Sequence, residues 1–189
     1  MLTSMRALLL EPPDWFLEQR RKFGSDVRDE GWDGVLHMPP EPTVHHQQLS
    51  SALVAVLLPL AKRRGLVASC ETAFGPGRYN YRVPDVIVYA QASATKSFVV
   101  GPAELAIEIL SPQDESRDKL PFYASRGVKE VWLLDPTTRA VEVYTLRGDT
   151  YFAIADREHV IRAPALDLQL ATIDGPKLQI IWADGSAEI

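Results

Sequence analysis

A chain of 189 residues, 46% hydrophobic and 24% charged, has the size and composition of one globular domain with a sizeable core, which excludes disordered and fibrous classes. Its formal net charge of −5 and pI near 5.4 exclude a protein that coats nucleic acid by bulk positive charge, though not one whose basic groups gather in a cleft. The single cysteine, Cys70, cannot staple a fold, and the four histidines form no CxxC or HExxH pattern, so a metal would need oxygen ligands, which points to Mg²⁺ or Mn²⁺. The longest apolar run, Leu53 to Ala61, is far short of a bilayer span, and Met1 to Leu10 lacks the pattern of a secretory signal. A cytoplasmic protein with no membrane partner is therefore expected.

In chain order, residues 12–23 read as a short helix that begins at Pro12-Pro13, stops at Gly24 and packs its aromatic side, Trp15, Phe16 and Phe23, on the core. Trp32 to Met38 reads as an edge strand or hairpin before the Pro39-Pro40 break. The longest helix runs from Thr43, its N-cap, to Arg64, with His46, Leu49, Leu53, Val56 or Leu57, and Leu60 on one face and Pro59 loosening its last turns. His46 then lies at the inward side of the helix start, either as a hydrogen-bonded helix-end histidine or as part of a site beyond the strand ends. His37, His45 and His159 read as surface or loop residues. Lys62-Arg63-Arg64 and Gly65 close the helix in the manner expected from its dipole and C-cap.

Leu66 to Phe74 reads as a strand, Gly75-Pro76-Gly77 as a turn, Asp85 to Tyr89 as a strand, and Gln91 to Gly101 as a loop. Alternation puts Val86 and Val88 on one face and Asp85, Ile87 and Tyr89 on the other. In the next strand Leu105, Ile107 and Ile109 oppose Glu104, Ala106, Glu108 and Leu110. A carboxylate set among such neighbours is costly unless it is paired or binds a cation, so Asp85 and Glu108 together suggest a metal site, with Glu104 a second choice. Ser111-Pro112 ends that strand, and Asp114 to Asp118 opens a helix that runs on to Arg126 and stops at Gly127. Lys119 on that helix is either a solvated lysine or a cation delivered to the end of the Glu108 strand. Val131-Trp132-Leu133-Leu134 reads as a strand covered on both faces. An antiparallel meander over Ala140–Leu146 and Thr150–Ala155 follows, and residues 156–189 form a strand-rich C-terminal extension of the same domain.

Arg82-Val83-Pro84-Asp85, Glu108-Ile109-Leu110-Ser111-Pro112, Lys119 with Tyr123, Gly127-Val128 and Val131 to Pro136 together resemble the Uma-type family of restriction-endonuclease-like bacterial proteins, within the PD-(D/E)xK nuclease superfamily. The likeness spans about residues 30–155. It implies an α/β (α+β) restriction-endonuclease-like core, a mixed sheet flanked by helices. It further implies that Asp85 and Glu108 bind Mg²⁺ (or Mn²⁺) together with the backbone carbonyl of Ile109, while Lys119 orients water or faces the phosphate and His46 supports the site. Leu110 occupies the position where the superfamily usually has its lysine, so Lys119 fills that role only by reaching back. The Ser111 to Lys119 segment is also about three residues shorter than the commonest form of the family, which leaves Glu115 or Asp118 to replace the usual acid.

The expected activity is that of a metal-dependent endonuclease with DNA as substrate, working as a monomer or a homodimer. A nuclease-fold module that binds or assembles without cleaving, and a hydrolase of small phosphoesters, are the alternatives, because metal chemistry does not choose the substrate.

Overall fold

The computed structural model describes residues 7–111, 115–156 and 159–189. In chain order it runs β1 (Ala7–Leu10), α1 (Asp14–Lys22), β2 (Glu30–Trp32), β3 (Val35–Met38), α2 (Val44–Lys62), β4 (Leu66–Cys70), β5 (Phe74–Gly77), β6 (Asn80–Arg82) and β7 (Val86–Ala90). Then come β8 (Ala103–Ile109), α3 (Leu120–Ser125), β9 (Glu130–Leu134), β10 (Val141–Arg147), β11 (Thr150–Ala153), β12 (Val160–Ala163), β13 (Leu168–Ile173), β14 (Lys177–Trp182) and β15 (Gly185–Glu188).

The central layer is a mixed six-stranded sheet ordered β11-β10-β9-β8-β7-β4. Its β8 and β9 are parallel, Leu105 to Ile109 lying beside Glu130 to Leu134, and α3 lies in the connection between them. All other pairs in this sheet are antiparallel. The two faces of β7, β8 and β9 sort as the alternation requires. Val86, Val88, Leu105, Ile107, Ile109, Trp132 and Leu134 join one buried cluster, and Ile87, Tyr89, Ala106, Val131 and Leu133 join another. The second is completed by Phe122 and Tyr123 of α3, so the sheet is flanked by a helix on each face.

Helix α2 covers the first face with Leu49, Leu53, Leu57 and Leu60, which selects Leu57 over Val56 as the inward residue. Thr43 caps it by accepting from the His46 backbone N–H (3.2 Å). The helix continues through Pro59 to Lys62, and Gly65 turns the chain at φ +70°. A four-stranded antiparallel sheet, β12-β13-β14-β15, completes the same face with Leu168, Leu170, Leu178 and Ile180. Its strand β13 lies within the stretch, residues 156–189, read from the sequence as rich in strands.

Three expectations are corrected. Helix α1 forms, but Trp15 and Phe23 are 65% and 72% exposed and none of its residues is buried, because it lies outside both core clusters. Leu66 to Phe74 is not one strand: β4 ends at Cys70, Glu71 takes φ +44°, and β5 joins another sheet, ordered β1-β3-β2-β6-β5. Gly75-Pro76-Gly77 lies within β5, and the reversal falls instead at Arg78-Tyr79, since Gly77 pairs with Asn80. A Cβ on Gly75 (φ +150°) would lie 2.5 Å from the Asn80 carbonyl, so this close approach requires glycine.

The hairpin of β2 and β3 turns at Asp33-Gly34, both with positive φ, and β3 is enclosed between β1 and β2. Pro112 and Asp114, assigned to a strand end and helix start, lie outside the described residues. Arg117–Lys119 form a 3-10 turn, and α3 follows with Pro121 in its first turn. Among the described residues no helix is long and apolar enough to cross a membrane.

Candidate active site

The register of β7 and β8 brings the two carboxylates together. Val86 pairs with Ile107 in an antiparallel ladder, and one further step sets Asp85 opposite Glu108 on the same face. Asp85 Oδ2 then accepts from the backbone N–H of Ile109 (2.7 Å), which fixes the carboxylate at the strand end. Ser50 of α2 donates to the Asp85 carbonyl (3.2 Å), binding the helix to the same point. His46, one turn earlier on α2, places Nε2 3.2 Å from Asp85 Oδ1. Its Nδ1 is buried and has no hydrogen-bond partner among the described residues.

Lys119 turns inward rather than to solvent. Its ammonium lies 3.0 Å from Glu108 Oε2 and 2.8 Å from Glu30 Oε1, with only 12% of the side chain exposed. The 3-10 turn after β8 thus returns the lysine to the strand it has just left. Tyr123, one turn into α3, donates its hydroxyl to Glu108 Oε1. Glu104, at the other end of β8, pairs with Lys129 at the surface (2.7 Å) and stays outside the site.

Several members had no sequence signal strong enough to single them out. Glu30 of β2 is buried. Its Oε1 accepts from the Val83 N–H (2.8 Å) and its Oε2 from the Trp32 indole (2.8 Å), so the second sheet is joined to the first at Lys119. Arg28 places Nη2 3.2 Å from Asp85 Oδ1 and Nε 3.4 Å from Glu71 Oε1. Arg82 packs its guanidinium over Trp32 and Phe122 (4.0 and 4.2 Å to the ring centroids) and donates to the Gly31 carbonyl. The expectation for His37 is corrected: it is buried, stacked on Trp32 (4.3 Å) and 2.9 Å from Glu115 Oε2. Of the two acids weighed after Ser111, Glu115 makes this contact, while Asp118 is exposed.

The electrostatics follow from burial. Loss of solvent raises the Glu108 carboxyl above its usual range; Lys119 opposes this, while Asp85 and Glu30 add to it. Burial alone would depress the Lys119 ammonium, but Glu108 and Glu30 outweigh it and hold its pKa above the ordinary value. Burial beside Glu108 raises the Tyr123 hydroxyl far enough to keep it a neutral donor. The site is thus a cluster of buried carboxylates, Glu30, Asp85 and Glu108, with the Lys119 ammonium between Glu30 and Glu108.

The model of a family described as "putative restriction endonuclease", Uma2, matches residues 13–172. No curated protein matches the chain. Among solved structures, the chain is similar to a "putative nuclease belonging to DUF820" from Anabaena variabilis, with a TM-score of 0.61 and 20% identity, covering 74% of this chain and 83% of that one. That likeness shows a shared fold, consistent with the restriction-endonuclease-like core.

Proposed function

The chain belongs to the Uma2 family of restriction-endonuclease-like proteins, and from that premise we propose that it is a Mg²⁺- or Mn²⁺-dependent endonuclease hydrolysing phosphodiester bonds of DNA. Asp85, Glu108 and the backbone carbonyl of Ile109 would hold the metal, with Lys119 and His46 completing the site.

A charge imbalance carries this reading. Glu30, Glu71, Asp85 and Glu108 face three formal cations, Lys119, Arg28 and the buried Arg82 guanidinium near Glu30, which leaves an excess of one negative charge when all four acids are ionised and His46 is neutral. A divalent cation beside Asp85 and Glu108 would offset that excess and favour the ionised form of Glu108 against its burial. Among the described residues no group of three or more His, Cys, Asp or Glu side chains is arranged to hold a metal. Mg²⁺ nevertheless keeps several waters and takes only one or two carboxylates, so this donor set suits it. When bound, such an ion lowers the pKa of a water and stabilises charge developing on the scissile phosphate.

The chain's own residues supply the remainder. The Ile109 N–H and Ser50 fix Asp85, and Tyr123 and Lys119 fix Glu108, so neither carboxylate need reorganise during the reaction. Lys119, held at two points, adds positive charge beside Glu108. Its inward position supports the catalytic reading over a nuclease-fold module that only binds. Cutting both strands of a duplex calls for two such sites, which a homodimer would provide.

Supercoiled plasmid incubated with Mg²⁺ or Mn²⁺ tests the proposal. Wild type should give nicked and linear products, and Glu108→Ala should cut on the order of 100-fold more slowly. Equal cutting by both proteins, or none by wild type with either metal, would contradict it.

A further inference from the structure

We propose that Arg28 is the residue that binds the substrate phosphate, one of the two roles, beside orienting water, that the family resemblance offers to Lys119. This deepens the nuclease reading and rests on it.

The argument begins with the donors each cation has left. A lysine ammonium has three N–H groups, and two of those on Lys119 are directed to Glu30 and Glu108. Its charge is opposed by Glu30 and Glu108, as that of Arg28 is by Asp85 and Glu71, so free donors and exposure are what distinguish the two cations. Arg28 differs in geometry and in exposure. A guanidinium has five N–H groups in a planar fork. Nη2 meets Asp85 and Nε meets Glu71, and the other N–H groups have no partner among the described residues. Its side chain is 23% exposed against 12% for Lys119 and for His46, so of the three it is the most open to solvent.

Arg28 is also tied to the same strand end as the carboxylate. The Glu71 backbone N–H donates to the Asp85 carbonyl (3.3 Å), and its side chain accepts from Gln47 of α2 (2.9 Å) while facing Arg28. A phosphate brought to Asp85 therefore meets a positioned guanidinium whose fork matches two phosphate oxygens. This local arginine also lets a chain of net charge −5 engage a polyanion.

The test is binding of a short fluorescein-labelled DNA duplex, followed by anisotropy in Ca²⁺ over a series of KCl concentrations. Thermal melting of each variant serves as the control for folding. Arg28→Gln should weaken binding about tenfold at low salt and reduce the slope of log affinity against log salt by about 0.9, the signature of one lost phosphate contact. Arg28→Lys keeps the charge without the fork, and should retain the slope while recovering only part of the affinity. Arg28→Gln with wild-type affinity and slope would overturn the assignment. If Arg28→Gln melts far below wild type, Arg28→Lys decides, and full wild-type affinity in that variant overturns the proposal. Wild-type protein that binds no duplex overturns this and the nuclease reading together. Wild-type binding and cleavage with Arg28→Gln unaffected overturns the phosphate assignment alone.

Discussion

Glu108 is held by two donors of different kinds. The Tyr123 hydroxyl gives a buried neutral-to-charged hydrogen bond, and Lys119 gives an ion pair shared with Glu30. Tyr123→Phe leaves Glu108 with Lys119 and should cost about 1.5–3 kcal/mol in a urea melt. Lys119→Met leaves two buried carboxylates without their cation and should cost more, about 3–5 kcal/mol. Equal costs would mean that Glu108 does not depend on the ammonium. Asp85 and Glu108 were legible in the sequence because each sets a charge in an apolar strand, whereas local pattern left His46 and Lys119 open and only the family resemblance singled them out. Glu30 and Arg28 were not, since their partners Val83 and Asp85 lie 53 and 57 residues away and nothing local marks them. The one hint at Glu30 is the nearby hairpin turn, which places Trp32 where its indole can reach back.

At the scale of elements, period-two alternation and helix capping placed β7, β8, β9 and α2 correctly, because both sides of each element are decided within a few residues of itself. The errors fall where long-range contacts decide. Helix α1 has an aromatic side that no neighbouring layer covers, and β5 leaves the line of β4 because Glu71 turns the backbone away. Buried Glu130 on β9 was also missed, because the strand was read as beginning at Val131. It accepts from the Trp132 indole (2.6 Å) and from the backbone N–H of Ala165 (3.0 Å), and so joins the central sheet to the turn between β12 and β13. Burial raises its carboxyl from an ordinary 4.5 to about 7, against the lowering effect of those two donors. The folded chain therefore keeps a proton that the unfolded chain releases above 4.5. The resulting stability is fully present below that value and is lost as pH rises through about 7, an effect of at most about 3 kcal/mol. Urea melts at pH 5 and 7.5 should show this loss in wild type and a smaller one in Glu130→Gln. An identical loss in both would place its origin elsewhere.

Across the whole molecule, the C-terminal strands are part of the core rather than an addition to it. Ala163, Leu166, Leu168, Leu170, Leu178 and Ile180 share one buried cluster with α2 and the inner face of β7, β8 and β9. The apolar C-terminal pieces therefore finish this chain's own interior. Site and core are built from the same strands: one face of β8 packs on that cluster, and the other presents Glu108 to Lys119. Buried acids short of positive charge destabilise the fold that holds them, and a bound dication should return that energy as stability. The central claim is thus a claim about metal, and calorimetric titration of Mn²⁺ tests it most directly, on wild type and on the Asp85→Asn and Glu108→Gln variants. Wild type should show a saturable site whose heat is lost in both variants. No heat of binding in wild type at millimolar Mn²⁺, or equal binding in all three proteins, would contradict it.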